Sequence, residues 1–275
     1  MLASILAAGA WAALQLDLDP AALWERAGTP AVLARFFAAA FKPAWVSQSG
    51  SGIALVPKAL EAMRATVVFA AAGMSLALVA GLFLGFLASS AWWEGDPVGA
   101  RHPVLAFLRR RVAPSVTAAT RVLIAFMRSI HELLWAMLLL SAFGLSHASA
   151  VVAIAIPYAG TLAKVFSELI DEAPRNAALA LRAAGGSPAQ VYCLGLLPRA
   201  LPDMGAYAFY RFECALRSSA ILGFFGFPTL GYSIALSFEN LYYREVWTYL
   251  YGLFALVLIM DWWSGALRRR REGFA

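Results

Sequence analysis

Ionisable side chains interrupt the apolar runs of this sequence at Arg121, Arg128, Glu132, Lys164, Glu168, Arg211, Glu213 and Arg217. A charge in such surroundings is costly and needs either a partner or a water-filled cavity. Arg128 and Glu132, Lys164 and Glu168, and Glu213 and Arg217 are each spaced four apart. On a helix that spacing puts both side chains on one face, where opposite charges neutralise one another. Arg211 has no acidic residue four positions away. It lies roughly a dozen residues into its run, which at about 1.5 Å per residue is near the middle of a bilayer. Either a second helix brings Glu132 or Glu213 to it, or it faces an aqueous pathway. A fixed guanidinium there favours an oxyanion through paired, charge-assisted hydrogen bonds. The candidate pathway residues are therefore Arg211, Arg128, Glu132, Glu213, Arg217 and Tyr210, with Tyr207 and Ser218 as weaker ones. His102, His131 and His147 are scattered without metal-ligand spacing. There is no G-x-x-x-x-G-K-[ST] phosphate loop, nucleophile elbow or zinc-protease motif, so neither covalent chemistry nor nucleotide binding is expected of this chain.

Positioning such groups inside apolar runs is a task for membrane helices. The chain has 275 residues, 61% hydrophobic and 14% charged, where a soluble domain has about 25% charged residues. Mean hydropathy is +0.70. Runs long enough to cross a bilayer cover 65–93, 114–145, 148–170, 201–225 and 246–267. The run at 1–18 reads as a retained helix rather than a secretory signal, because it lacks a basic leading region. ALWERAG (22–28) and AVLARFFAAAF (31–41) suit helices lying in the interface, and SQSGSG (47–52) reads as a flexible linker. The run 114–145 is too long for one straight span and is expected to bend near 129–131. The expectation is an all-α, polytopic membrane protein of about six transmembrane helices. It divides into an N-terminal helix with an interfacial or periplasmic segment (1–63) and a core (64–275). Trp92 and Trp93 read as an interfacial anchor, and Cys193 and Cys214 as small buried hydrophobes rather than a disulfide.

The net charge of +6 does not indicate nucleic acid. The arginines cluster at the ends of apolar runs, as RRR at 109–111 and RRRR at 268–271, which is how topology signals are placed. With six spans, those clusters and segment 171–199 fall on the cytoplasmic side together with both termini.

Segment 181–198, LRAAGGSPAQVYCLGLLP, lies on that side and is too broken by Gly and Pro to span. Asn176 to Ala184 is a strong short helix former, and Gly185 and Gly186 can stop it with a left-handed cap. Ser187, Pro188 and Gln190 then supply an S-x-x-Q capping box with Pro at the first helical position. Pro198 and Pro202 are expected to end the second helix and start the next span. Such a segment is either an ordinary loop or a place where something docks.

The segment resembles the cytoplasmic loop that ABC importer permeases insert into a cleft of their ATPase subunit, with Ala180, Gly185, Leu197 and Pro198 at the family spacing. Leu179 stands for the family's acidic residue, Leu181 for its second Ala and Gly195 for its Ile. RSIHELLWAMLLLSAFGL (128–145) and AYAFYRFECALRSSAILGFFG (206–226) are similar to stretches of phosphonate-type permeases. The resemblance covers about 115–265 and implies a type I importer permease carrying a phosphonate- or phosphite-type oxyanion. It also implies partners: ATP-binding cassette ATPases docking through Ala180, Leu181, Ala184, Gly185, Gly186, Leu197 and Pro198, a solute-binding protein, and a second permease copy as a homodimer in the bacterial inner membrane lipid. No cofactor is implied for this chain, with ATP and Mg²⁺ on the ATPase. GFFGFPTLGYS (223–233) is either a gate region meeting the binding protein or the outer turn between the last spans.

Overall fold

The structure is a computed structural model that describes residues 2–16, 29–48, 52–91 and 103–272. Among these residues the regular elements are helical, apart from one isolated bridge between Val46 and Ala54. In chain order they are α1 (Leu2–Gln15), α2 (Thr29–Ala40), α3 (Leu55–Ala88), α4 (Pro103–Ser129), α5 (Glu132–Phe143), α6 (His147–Glu172), α7 (Asn176–Ala183) and α8 (Pro188–Gln190). A π-helical turn (Val191–Leu196) leads into α9 (Leu197–Ile221), a 3-10 turn (Leu222–Phe225), α10 (Leu230–Glu239) and α11 (Tyr243–Glu272).

Helices α3, α6 and α11 are each long and apolar enough to cross a membrane. Two bent pairs also qualify, α4 with α5 at 90° and Val191–Phe225 with α10 at 47°. With each bent pair taken as one span, that makes up to five spans among the described residues, where the sequence suggests about six. The difference is α1, whose 14 residues rise only about 21 Å against a hydrocarbon core of about 30 Å. ALWERAG and the Trp92 and Trp93 anchor lie outside the described residues.

Helix α3 begins earlier than its apolar run, because Lys58, Glu61 and Arg64 are exposed while Leu55, Ala59, Ala62 and Thr66 face inward. Its inner face continues as Ala70, Gly73, Ala77, Gly81, Gly85 and Ala88 and lies along α6. A Cβ on Gly73 would sit 2.9 Å from Ile154 Cγ2, one on Gly81 2.8 Å from Leu162 Cβ, and one on Gly85 3.2 Å from the Ala163 carbonyl. The residue pairing rises together along both helices, so they run parallel, with backbones brought close by small residues as is usual for helices packed in lipid. Gly81→Leu is expected to force α3 from α6 at a cost of about 1–3 kcal/mol, read as a lower Tm in detergent.

The long run 114–145 does bend where expected. His131 takes an extended conformation and its ring accepts a hydrogen bond from the Leu133 N–H, capping α5. At the far end of α9 the GFFGFPTLGYS stretch folds back on itself. A Cβ at Gly223 would lie 2.0 Å from the Tyr232 nitrogen, and one at Gly231 2.0 Å from the Ala220 oxygen. Thr66 of α3 anchors this fold-back, accepting from the Leu230 N–H at 3.1 Å, while Ser219 Oγ donates to the Thr66 carbonyl.

The described residues flanking 49–51 are tied together. The Ser47 and Leu55 N–H groups donate to the carbonyls of Ile53 and Trp45. The buried carboxylate of Glu245 accepts from Ser47 Oγ, from the Gln48 N–H and from Ser237 Oγ. Helix α2 docks on the same end of α11, where Trp247 Nε1 donates to the Phe36 carbonyl and Tyr251 to that of Ala40.

Candidate functional site

Helix α9 carries Tyr207, Tyr210, Arg211, Glu213, Arg217 and Ser218 on one continuous rod, and α6 and the α4–α5 bend supply what surrounds them. The Arg211 guanidinium carbon sits 4.8 Å above the ring of Tyr158 on α6, within the range of a cation–π contact. Its Nε is buried, with no hydrogen-bond partner among the described residues. Neither carboxylate that the sequence offered it is engaged with it. Glu213 pairs with Arg217, Oε1 to Nη2 at 3.0 Å. Glu132 accepts from Ser218 Oγ at 2.8 Å and lies 3.5 Å from His131 Nε2. Because Ser218 donates its proton to Glu132, Tyr158 donates to Ser218 at 2.9 Å. The result is a hydrogen-bonded chain from Tyr158 through Ser218 to Glu132, running beside the guanidinium.

The spacing-based pair of Arg128 with Glu132 does not form. The helix breaks between them and turns by 90°, so four residues of separation no longer mean one face. Arg128 instead lies exposed, with its backbone against α6, where a Cβ on Gly160 would sit 3.3 Å from the Arg128 nitrogen. The rings of Tyr207 and Tyr210 are 6.1 Å apart. Lys164 pairs with Glu168 as its spacing suggests. Arg128, Tyr210, Arg211, Glu132 and Ser218 thus belong to one neighbourhood, with Glu213 and Arg217 as a self-neutralised pair on the same helix.

The loop end is built as its sequence indicates, and more tightly. Gly185 takes φ +79°, a conformation that favours glycine, and the Gly186 N–H returns to the Leu181 carbonyl at 2.8 Å. The capping box closes in both directions: Ser187 N–H donates to Gln190 Oε1 and Gln190 N–H to Ser187 Oγ. Ala180, Ala184, Gly185 and Pro198 are exposed, and Leu181, Gly186 and Leu197 half-buried. Pro198 and Pro202 do not separate two helices. The π turn runs straight into α9, with Pro198 in the first turn, where its missing N–H is tolerated, and Pro202 farther along. One uninterrupted rod therefore joins the loop to Arg211. Cys193 is exposed rather than buried, because Val191, Tyr192, Gly195 and Leu196 take the inner face of the π turn.

Sequence reasoning overlooked Tyr158 and Asp171. Tyr158 sits in an apolar run and reads as packing. Asp171 abuts Glu172 at a span end and reads as a solvated charge. The positional signals available were Pro157 beside Tyr158 and the seryl pair Ser89 and Ser90 ending α3.

A family described as binding-protein-dependent transport system inner membrane component matches residues 104–273. The chain belongs to that family. The permease is 31% identical over 207 residues to a phosphite transport system permease protein of Stutzerimonas stutzeri, covering 74% of this chain and 68% of that one. It is 29% identical over 168 residues to a phosphate-import permease protein of Mycolicibacterium smegmatis, covering 60% of this chain and 32% of that one. In fold it resembles an amino acid ABC transporter (TM-score 0.63, 17% identity, 78% of this chain and 95% of that chain). An inward-facing methionine ABC transporter is comparably similar (TM-score 0.62, 20% identity, 78% and 97%). The type I permease-like fold suggested by the loop motif is thus the observed one.

Proposed function

We propose that this permease imports a phosphite- or phosphonate-type oxyanion and that Arg211 contacts it. The observation carrying this reading is the Arg211 guanidinium held mid-helix over Tyr158 with a buried, unpartnered Nε. A donor in that state costs roughly 1–3 kcal/mol to leave unmade, and an anion passing through the membrane would satisfy it. The names of the phosphite relatives support the same substrate class. Arg128 and Tyr210 are exposed beside it, and polar groups at membrane depth need a cavity or a partner rather than lipid. A second copy of the permease packed across that face supplies both, giving a homodimer with a central pathway.

In this reading the loop and the C-terminus face the cytoplasm. Two ATPase subunits, which hold ATP and Mg²⁺, dock on α7 and the turn at 184–186. A solute-binding protein delivers substrate on the opposite face. ATP-driven closure of the ATPases pushes α7, and the rod running from Pro188 to Ile221 carries that push to Arg211. Leu179, 57% exposed on α7, gives the docking face an apolar contact where the family motif has an acid.

The test is ATP hydrolysis by the permease reconstituted in lipid with the ATPase and binding protein of its own transport system, with and without phosphite or methylphosphonate. Stimulation by either supports importer and substrate class together. Stable assembly with hydrolysis indifferent to both removes the oxyanion assignment. Failure of the ATPase to bind removes the docking reading.

A further inference from the structure

The end of α3 nearest the loop is fastened to α6 by one carboxylate. Asp171 Oδ1 accepts from Ser89 Oγ at 2.7 Å and from the Ala91 N–H at 3.0 Å, and its Oδ2 accepts from the Ser90 N–H at 3.1 Å. Arg121 of α4 joins the same knot, with Nη2 3.8 Å from Asp171 Oδ2 and Nε donating to the Ala88 carbonyl at 3.1 Å. Ser89 is fully buried. On the other side of α3, the Phe86 ring meets the Tyr192 ring of the π turn edge-on at 5.0 Å. Asp171 is separated from α7 only by residues 172–175, which include Pro174 and the buried Ala173.

We infer that Asp171 is a positioning residue for transport: it latches α3 and α4 to the base of the docking helix, so that α7, α3 and α4 move as one body when the ATPases close. This rests on the reading of α7 as the docking element. The geometry gives the latch its function as well as its strength. Three of its bonds come from 89–91, one from the Ser89 hydroxyl and two from the N–H groups of Ser90 and Ala91. Those two N–H groups lie past the last helical bond, from the Ser89 N–H to the Gly85 carbonyl. Bonds to an ionised acceptor are about twice as strong as neutral ones, so this joint is stiffer than the apolar contacts around it. Without it, α7 still rocks with the ATPase, but α3 no longer follows, and hydrolysis proceeds without moving the pathway.

Asp171→Asn keeps a carbonyl oxygen for Ser89 and Ala91 but turns an amide toward Ser90 and Arg121, opposing two of the bonds. In proteoliposomes containing the full permease–ATPase complex and binding protein, we expect ATP hydrolysis within twofold of the unmodified complex and phosphite uptake per ATP reduced about tenfold, within the usual span of coupling effects. Arg121→Gln, which leaves the Asp171 carboxylate on α3, is expected to lower the ratio less. A substrate-independent readout is the distance between spin labels at Phe83→Cys on α3 and Ala183→Cys on α7, in a background with Cys193→Ser and Cys214→Ser. That distance stays single between nucleotide-free and nucleotide-trapped complexes, and splits or shifts on trapping when Asp171→Asn is present. A ratio and a distance unchanged by Asp171→Asn overturn the latch and leave ATPase docking untouched. Uptake and hydrolysis falling in proportion, with the label distance constant, also overturn it, because a merely structural loss lowers both together. An unmodified permease that binds no ATPase overturns the latch and the docking reading alike.

Discussion

Replacing Arg211 with alanine is expected to abolish oxyanion uptake while the permease still folds and still binds its ATPase. The argument turns on what Arg211 does in the substrate-free protein. It forms no ion pair among the described residues, since Glu213 is taken by Arg217 and Glu132 by Ser218 and His131. Its charge rests over the Tyr158 face at 4.8 Å, a contact worth about 0.5–2 kcal/mol. Removing it therefore strips little from the fold and relieves a buried donor that had no acceptor. For a passing oxyanion the loss is larger. Charge-assisted hydrogen bonds contribute about 1.5–3 kcal/mol each, so losing a bidentate pair removes a factor of a hundred or more in binding, at about 1.4 kcal/mol per tenfold. Arg211→Lys keeps the charge but not the planar fork and is expected to retain a small fraction of uptake. The check is phosphite uptake alongside size-exclusion behaviour and ATPase co-purification. If Arg211→Ala instead aggregates or loses its ATPase, Arg211 is a packing group and the pathway runs elsewhere.

The elements of this fold were legible wherever one local pattern was sufficient. The capping box of Ser187 and Gln190, the glycine stop at Gly185 and the bend near His131 each depend on a few neighbouring residues. Lys164 with Glu168 and Glu213 with Arg217 were legible for the same reason, because their helices are unbroken. The same spacing misled at Arg128 and Glu132, where the bend that the sequence itself announces falls between the two charges. Periodicity and chain breaks must be applied together: a pairing rule holds only as far as its helix. Pro198 was misread in the opposite sense, as a break where the first turn of a helix tolerates it. What stayed illegible depends on long-range partners. Tyr158 has a role only because α9 brings Ser218 to it across 60 positions, and Asp171 only because α3 ends beside it, 80 and more residues away. Nothing local distinguishes either from an ordinary span residue. The oxyanion reading of Arg211 was available from sequence because an unpaired charge in an apolar run is conspicuous by itself; its unpartnered Nε required the packed helices.

The departures of the loop from its family pattern lead to a second large effect. Where the family motif has a small residue followed by a large one, Leu181 and Gly195 reverse the sizes. The structure places the two against each other: a Cβ on Gly195 would lie 3.0 Å from the Ala178 Cα and 3.3 Å from Leu181 Cδ1. A side chain at position 195 would meet the Ala178 backbone first and the Leu181 side chain next, and without one α7 settles backbone-close on the π turn. Gly195→Ile alone is expected to drive α7 off the π turn at a cost of about 1–3 kcal/mol, weakening ATPase binding tenfold or more. Leu181→Ala alone opens a gap in a half-buried contact and is expected to cost less than the 2–5 kcal/mol of a core leucine. The double variant removes the collision between the two side chains and refills the gap, so it is expected to recover part of the binding free energy lost in Gly195→Ile, while the close approach of position 195 to the Ala178 backbone remains. The measurement is ATPase affinity for the four proteins in nanodiscs, read as a double-mutant cycle, in which residues in contact show coupling of about 0.5–3 kcal/mol. An additive cycle would mean that Leu181 and Gly195 vary independently and that the close seating of α7 is set by Ala178 and the Gly195 backbone alone.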